Sequence, residues 1–292
     1  MTMRGPLARI GRIDGLNFLL TNAIPRRLAT LLMGRISRIE SEWFTAVGIA
    51  VWKLFCDLDL SESKAQRFRS LQECFTRELA PGARPIDADP AVLASPCDAI
   101  VGAVGRIECG TLLQAKGSTY RLADLLQDSS TAERLEGGYF VTLRLTAGMY
   151  HRFHAPQDCV IEQIDYVAGD AWNVNPPTLA RMERLFCRNE RAVLRLRLAD
   201  GARINLVPVA AVLVASIRFT FLDVRLHLRY RGPNRIPCDA RLSKGDSMGW
   251  FEHGSTIIVL VPRGFVPPAN LRSGARIRAG EALLRSVESE RR

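Results

Sequence analysis

The feature that most constrains this chain is a change of pattern at residues 81–85, Pro-Gly-Ala-Arg-Pro. A stretch with two prolines and a glycine does not continue a helix. Beyond it, short β-favouring runs alternate with glycine, proline, aspartate or asparagine, a pattern typical of a barrel or sandwich. The predicted strands cover residues 99–104, 139–145, 160–166, 192–198, 203–209, 212–217 and 255–261, and one helix is predicted at 122–126.

The region before this boundary has helical rather than strand periodicity. Residues 14–75 are predicted to be helical, with a first apolar stripe at Ile24, Leu28, Leu31, Leu32 and Ile36 and a second at Trp43, Val47, Val51 and Leu54. An apolar stripe beside a basic face is typical of a helix in a membrane interface, and also of a solvated helix over a protein core. The sequence therefore predicts an α+β fold. A helical N-terminal arm (1–80), a membrane-association region, packs on a mostly antiparallel β barrel or sandwich domain (81–292).

Composition limits the class of protein. Hydrophobic residues make up 47% and charged residues 24%, which excludes a disordered chain, and the net charge is +10. Residues 1–38 contain seven arginines against one acid, so the excess charge favours an anionic partner, either lipid or nucleic acid. Only 7% of residues are aromatic and none form a basic-aromatic motif, which argues against nucleic acid. The longest uncharged apolar run near the N-terminus, 43–52, is too short to span a bilayer.

Three segments carry side chains suited to catalysis. His151 and His154 lie close together in residues 150–156, Ser255 stands in a Gly-Ser-Thr triplet before a predicted strand, and Asp98 precedes another. Imidazole exchanges protons near neutral pH, and a serine, a histidine and an aspartate distant in sequence can assemble a nucleophile, its base and an orienting group. Taken alone, the histidine pair is equally explained by a structural role, while the Gly-Ser-Thr triplet and Asp98 are better explained as turn residues. A metal site is not predicted, because a third ligand is missing and no cysteines have CxxC spacing.

Together, these segments resemble the phosphatidylserine decarboxylase family, over nearly the whole chain. Each matching stretch is short, but their shared order makes the resemblance specific. They are residues 75–79, 81–87, 95–98, 113–117 with Tyr120, 150–156, 174–176, 189–191, 244–245 and 254–256.

The resemblance implies a proenzyme that cuts itself between Gly254 and Ser255. Ser255 would attack the Gly254 carbonyl and become a pyruvoyl group, with His154 as base and Asp98 fixing the imidazole tautomer. His151 matches a second histidine, which assists the later decarboxylation. The β chain, 1–254, and the α chain, 255–292, would stay associated without a covalent bond.

The resemblance also implies the reaction. The pyruvoyl carbonyl would form a Schiff base with phosphatidylserine and accept electrons as carbon dioxide leaves, giving phosphatidylethanolamine with no metal or added cofactor. A bilayer substrate favours membrane association of residues 14–56, and hence a peripheral protein. The missing targeting extension favours the cytoplasmic face of a bacterial inner membrane. The oligomeric state stays open, a homo-oligomer included.

The chain departs from the family pattern near the proposed cut. His253 stands where the family usually has leucine, Cys97 and Ala99 flank Asp98 in place of alanine and glycine, and residues 208–212 replace a glycine-rich stretch. His253 would alter the rate or pH dependence of cleavage. The alternative interpretation is a relative that binds phospholipid without cleaving itself or catalysing a reaction.

Overall fold

The structure, a computed structural model, describes residues 25–115, 118–212, 216–252 and 256–287. Its helices are α1 (Arg26–Ile36), α2 (Glu42–Phe55), α3 (Leu71–Phe75), α4 (Leu122–Leu126), α5 (Ser129–Arg134), α6 (Pro176–Leu179) and α7 (Leu185–Arg188). Its strands are β1 (Val92–Ala94), β2 (Ala99–Arg106), β3 (Thr111–Ala115), β4 (Ser118–Arg121), β5 (Tyr139–Arg144), β6 (Arg152–His154), β7 (Cys159–Val167), β8 (Arg191–Leu198), β9 (Arg203–Val209), β10 (Ser216–Phe219), β11 (Arg225–His227), β12 (Arg235–Leu242), β13 (Ser247–Phe251), β14 (Thr256–Val261), β15 (Phe265–Val266), β16 (Arg276–Ile277) and β17 (Ala282–Ser286).

Four antiparallel sheets form the β part. The largest has eight strands in the order β12-β7-β8-β9-β14-β5-β2-β16. A four-stranded sheet has the order β11-β10-β13-β6, a three-stranded sheet the order β1-β17-β15, and β3 and β4 form a hairpin. The sequence prediction of a mixed, mostly antiparallel β-rich fold is confirmed.

Strand β14 lies inside the eight-stranded sheet because both of its faces are apolar. Its sequence, Thr-Ile-Ile-Val-Leu-Val, is buried at every position. Ile257 and Val259 face one hydrophobic core, which includes Phe153 of the four-stranded sheet. Ile258 and Leu260 face a second core, shared with α4 and α7. A strand covered on both faces is expected to be a continuous apolar run.

The predicted barrel does not occur in the part of the chain that the structure describes. The eight-stranded sheet is open and ends at β12 and β16. Strand β12 contains Pro237 and exposes alternate residues, including Arg235 and Arg241, while β16 has only two residues. Proline and charged side chains are typical of edge strands, so neither end is suited to further pairing.

Helices α1 and α2 lie within the region predicted to be helical, although residues 56–70 form no helix and residues 1–24 lie outside the described chain. The Ser41 hydroxyl caps α2 by accepting from the Phe44 amide at 3.4 Å. Ser41 N and Thr45 Oγ1 both donate to the Arg69 carbonyl at 3.0 Å, which fixes α2 to the segment before α3. None of the described helices has the length and apolar character that crossing a membrane requires.

Candidate active site

One edge of the eight-stranded sheet carries both Asp98 and the start of β14. Thr256, the first residue of β14, pairs with Val209 at the end of β9 and with Arg144 at the end of β5. Arg144 in turn pairs with Ile100 near the start of β2. Asp98 directly precedes β2, so it lies at the same sheet edge as Thr256. Gly254 and Ser255, with His253, fall outside the described residues, and the residue that follows Ser255 is fixed between two strands.

Asp98 is buried and held in place by an arginine. Arg84 donates from Nε to Oδ1 at 2.8 Å and from Nη2 to Oδ2 at 2.6 Å, and the Ala279 amide donates to Oδ1 at 2.9 Å. Arg84 Nη1 also pairs with Glu62 at 2.8 Å. Burial alone lowers the pKa of Arg84, but its bonds to Asp98 and Glu62 outweigh this and raise it. The pair is therefore a bidentate contact to a guanidinium that keeps its positive charge.

His154 is held as a neutral imidazole. Its Nδ1 lies 2.9 Å from the Gly245 carbonyl, an acceptor, so Nδ1 carries the proton. Nε2 then holds the lone pair, and the Tyr150 hydroxyl donates to it at 3.0 Å. Burial lowers the pKa of His154 below its ordinary value of 6.5, even though the Gly245 contact and the Asp98 charge raise it. At pH 7 this ring has the protonation state of a general base.

The contact that fixes the His154 tautomer differs from the one expected from the sequence. That role was assigned to Asp98, but in the structure the Gly245 carbonyl makes the contact with Nδ1. The Asp98 oxygens accept from Arg84 and Ala279 instead, so Asp98 acts on His154 through its charge. A pocket of about 300 Å³ is lined by Arg84 and His154 together with Tyr150 and Gly245, so the arginine that holds Asp98 shares this space with His154.

His151 lies deeper than His154. It is completely buried, and its Nδ1 lies 2.8 Å from the Met149 carbonyl, which places the proton on Nδ1. Its ring packs on Phe75, with 4.0 Å between the ring centroids. The Phe251 amide donates to the His151 carbonyl at 3.0 Å, which ties this histidine to the strand that leads to Gly254.

The structure adds Glu252, which the sequence analysis did not select. This buried carboxylate accepts from Arg225 at 2.6 Å, Arg38 at 3.0 Å and Gln72 at 2.8 Å, and from the Ser216 hydroxyl. Burial raises the pKa of Glu252, but the Ser216 hydroxyl and the two guanidinium groups outweigh it and hold the pKa below its ordinary value. Its position two residues before Gly254 was the only sequence signal, since its partners are distant in the chain.

A larger cavity also lies at this sheet edge. It has a volume of about 620 Å³ and mostly apolar walls. Arg144, Ala211 and Val212 line one part of it, beside the pairing partners of Thr256. Residues of α1 and α2 line another part, among them Met33, Val51, Trp52 and Phe55. The cavity therefore runs between the two N-terminal helices and the start of β14.

Within the described ranges, no group of three or more His, Cys, Asp or Glu side chains is arranged to hold a metal ion. All seven cysteines belong to those ranges and are free thiols. Asp98, His151, His154 and Glu252 are instead paired with arginines, carbonyls or hydroxyls, as described above.

Comparison with known proteins finds one family. The model of the family described as "Phosphatidylserine decarboxylase" matches residues 71–285. A phosphatidylserine decarboxylase proenzyme of Yersinia pestis is 34% identical over 290 residues, covering 94% of this chain and 98% of the relative. One of Brevibacillus brevis is 32% identical over 270 residues, covering 90% and 95%. The matches extend over nearly the whole of both relatives, and the chain belongs to the phosphatidylserine decarboxylase family.

Proposed function

We propose that this chain is a phosphatidylserine decarboxylase that becomes active by cutting itself between Gly254 and Ser255. The observation that carries the proposal is the family match over residues 71–285, which includes all the proposed catalytic positions. The word "proenzyme" in the relatives' names supports a processing step. Asp98 and the start of β14 lie at one sheet edge, and the His154 amide donates to the Pro96 carbonyl near Asp98 at 2.8 Å; both observations support the site of that step.

The proposed cleavage begins with the Ser255 hydroxyl. Its oxygen attacks the Gly254 carbonyl carbon while its proton passes to Nε2 of His154, and the peptide bond is exchanged for an ester. The neutral ring of His154, with its lone pair on Nε2, supports this role. Since the Tyr150 hydroxyl occupies that lone pair at 3.0 Å, it must rotate away before the proton can transfer. Elimination then breaks the ester at Cβ of residue 255, and water converts the dehydroalanine to pyruvoyl with loss of ammonia.

Asp98 is proposed to support the base electrostatically. When His154 takes the proton it becomes positive, and a nearby carboxylate stabilises that charge. Asp98 raises the pKa of His154 by this interaction, although burial has the larger, opposite effect. Arg84 and the Ala279 amide fix the carboxylate, so little reorganisation is needed during the reaction.

The surroundings fit a pyruvoyl group at position 255. Thr256 is fixed between β5 and β9, and the cavity of about 620 Å³ opens beside its partners, so a group on the preceding residue would have both a rigid base and adjacent space. Such a carbonyl would condense with the substrate amine and accept the electrons released with carbon dioxide. His151, whose lone pair lies on Nε2, is proposed to take up there the proton that the substrate ammonium group loses before it condenses, and then to return that proton to the substrate carbon.

The two product chains are proposed to stay together without a covalent link. Strand β14 is hydrogen-bonded to β5 and β9 of the larger chain, and β16 and β17 pair with β2 and β1. Six consecutive buried residues in β14 make release into water costly, because each apolar side chain contributes roughly 1.5–3 kcal/mol by burial.

The N-terminal helices are proposed to bind the membrane that holds the substrate. The helices α1 and α2 expose large apolar side chains, and Trp43 and Leu54 are 76% and 69% exposed. Tryptophan and leucine at such positions are typical of an interfacial helix. Since Val51 and Phe55 of α2 also line the cavity, this surface and the proposed path of the lipid are continuous. The proposal makes the protein a peripheral membrane enzyme.

The deciding experiment is intact mass spectrometry of purified protein beside a Ser255→Ala control. We expect the wild type to give two fragments, split after Gly254, with a pyruvoyl N-terminus on the smaller one and neither fragment in the control. Incubation with phosphatidylserine vesicles should release carbon dioxide and phosphatidylethanolamine from the wild type only. An uncut 32.5 kDa chain without activity would overturn the proposal and favour a lipid-binding relative.

A further inference from the structure

Arg144 is a half-buried arginine at the wall of the large cavity. It ends β5, and its neighbours across the sheet are Ile100 on one side and Thr256 on the other. Among the described residues, no carboxylate or other acceptor lies within bonding distance of its guanidinium, and burial is the sole influence on its pKa, which it lowers. Arg144 lines the cavity of about 620 Å³.

The other buried arginines of the described chain are used differently. Arg191 donates to the carbonyls of Leu125, Cys187, Asn189 and Asp124 at 2.7–3.0 Å. Arg77 donates to the carbonyls of Cys74, Asp59 and Gly148. Both brace the fold through backbone acceptors. Arg144 has no such structural contact, although burying its charge carries the same kind of cost.

An anion in the cavity would offset this cost. A guanidinium has a fork of donors that matches a phosphate or a carboxylate, and the pairing is strongest where water is excluded. The walls beside Arg144 are apolar, with contributions from Leu145, Val174 and Val212. A guanidinium beside apolar walls favours an anion that carries apolar groups over a small free ion.

We propose that Arg144 binds the phosphodiester of the lipid substrate, an inference that rests on the proposed function. The substrate carboxylate is the less suitable partner, since its charge is lost in the reaction. An arginine on it would stabilise the ground state more than the transition state and slow the decarboxylation. The phosphodiester keeps its charge from substrate to product. Arg144 therefore contributes uniform binding, which lowers KM and leaves kcat nearly unchanged.

Binding can be tested without turnover. The ligand is dihexanoyl phosphatidylmethanol, a monomeric phosphodiester lipid with neither an amine nor a carboxylate, and titration calorimetry measures its affinity for the full-length protein. We expect Arg144→Gln to weaken binding by about tenfold or more, and Arg144→Lys to retain part of the affinity. Arg241→Gln removes the same charge from an exposed position on the opposite edge strand, β12, and should bind like the wild type.

Two further ligands identify the source of the affinity. Dihexanoylglycerol lacks the phosphate and should bind the wild type and Arg144→Gln equally, which also shows that the variant is folded. Inorganic phosphate should bind the wild type more weakly than the lipid does; equal binding would mean a free-phosphate site and would overturn the lipid assignment. Phosphatidylmethanol affinity in Arg144→Gln equal to the wild type would overturn the inference outright.

Kinetics separate this inference from the proposed function. With short-chain phosphatidylserine, Arg144→Gln should raise KM by a factor similar to its loss of affinity and leave kcat within about twofold. A fall in kcat with unchanged KM would assign Arg144 to the reacting groups instead and contradict the inference. If the wild type neither cuts itself nor releases carbon dioxide, the proposed function fails, and phosphatidylmethanol binding to the uncut chain still tests Arg144.

Discussion

Arg84 holds Asp98 through two parallel hydrogen bonds, of 2.8 Å from Nε and 2.6 Å from Nη2. Both side chains are almost buried, so either partner left alone would carry an unpaired charge in a poorly hydrated site. Arg84 is thereby a positioning residue for the proposed cleavage site.

Replacing Arg84 by methionine is expected to lower the free energy of unfolding by about 3 kcal/mol and to slow self-cleavage, because Asp98 loses its fixed position. Urea denaturation of the uncut Ser255→Ala chain measures the first effect, and gel analysis of fragment formation the second. Arg278→Met is the matched control. Arg278 pairs with the same Glu62 at 3.4 Å but is exposed, so its loss should cost less than about 1 kcal/mol. Equal effects of the two substitutions would contradict the positioning role.

The rate of self-cleavage should depend on pH through His154. Burial lowers the pKa of this histidine below 6.5, so the neutral ring persists to a lower pH than in an exposed histidine. We expect a constant rate between about pH 6.5 and 8, and below the lowered pKa a fall approaching tenfold per pH unit. The rate of fragment formation can be measured in freshly translated chain that is shifted to different pH values. His227→Gln is the control. A half-maximal rate above pH 6.5 would be inconsistent with a buried base.

The same shift affects stability. The pKa of His154 is lower in the folded chain than in the unfolded chain, so the unfolded chain binds the proton more readily. Protonation therefore destabilises the fold as the pH falls below about 6.5, and has little effect above it. Denaturation at pH 7 and pH 5.5 measures how much unfolding free energy the Ser255→Ala chain loses on acidification. We expect this loss to be smaller in a chain in which His154 is also replaced by glutamine. If both chains lose the same unfolding free energy between pH 7 and pH 5.5, the pH dependence comes from groups other than His154.

Glu252 connects α3 and the residue Arg38, just after α1, to the end of β13, ahead of the proposed cut. Glu252→Gln removes its charge and leaves Arg38 and Arg225 facing a neutral amide, so we expect a loss of about 1–3 kcal/mol in unfolding free energy and slower cleavage. Glu162→Gln is a suitable control, since Glu162 also pairs with two arginines, Arg197 and Arg203, and its side chain is 32% exposed against 7% for Glu252. Cleavage at the wild-type rate in Glu252→Gln would show that this cluster does not position the proposed cleavage site.

Membrane binding should depend on the exposed apolar side chains of α2. Trp43→Glu and Leu54→Glu are each expected to weaken binding to anionic vesicles by about tenfold, because each removes roughly 1.5–3 kcal/mol of apolar burial. Self-cleavage should be unchanged in both. Val287→Glu, at a position 37% exposed on the β part, is the control in the same vesicle sedimentation assay. Removal of residues 1–38 would be a poorer test of membrane binding, because it also removes the contact between Arg38 and Glu252.

The sequence predicted local elements better than long-range contacts. Strand β9 and helix α4 have the predicted bounds, 203–209 and 122–126, because Asp200-Gly201 marks a turn before the strand and Gln127-Asp128 ends the short helix. The strand predicted at 212–217 overlaps β10 only at its end, and residues 213–215 lie outside the described chain. Strand β12 was not predicted, because it contains Pro237 and several charged residues and so lacks the apolar pattern of a central strand.

The candidate site shows the same limit. Asp98, His151 and His154 were selected from motifs, and their roles, like the division at residue 80, stay predictions. The Gly245 carbonyl could not be selected, since it meets His154 from 91 residues away. Arg144 sits in a strand where alternation predicts an ordinary surface position, and only the packing of α1 and α2 over the sheet edge creates its cavity.

The place of β14 in the sheet has a consequence for the timing of maturation. Thr256 acquires its neighbours only when β5 and β9, distant in sequence from one another, have both aligned beside it. Under the proposed function, a nascent or misfolded copy would keep an ordinary, unreactive serine. The reactive carbonyl would therefore arise only in molecules whose interior is already assembled. Activity would thus require complete folding of the sheet.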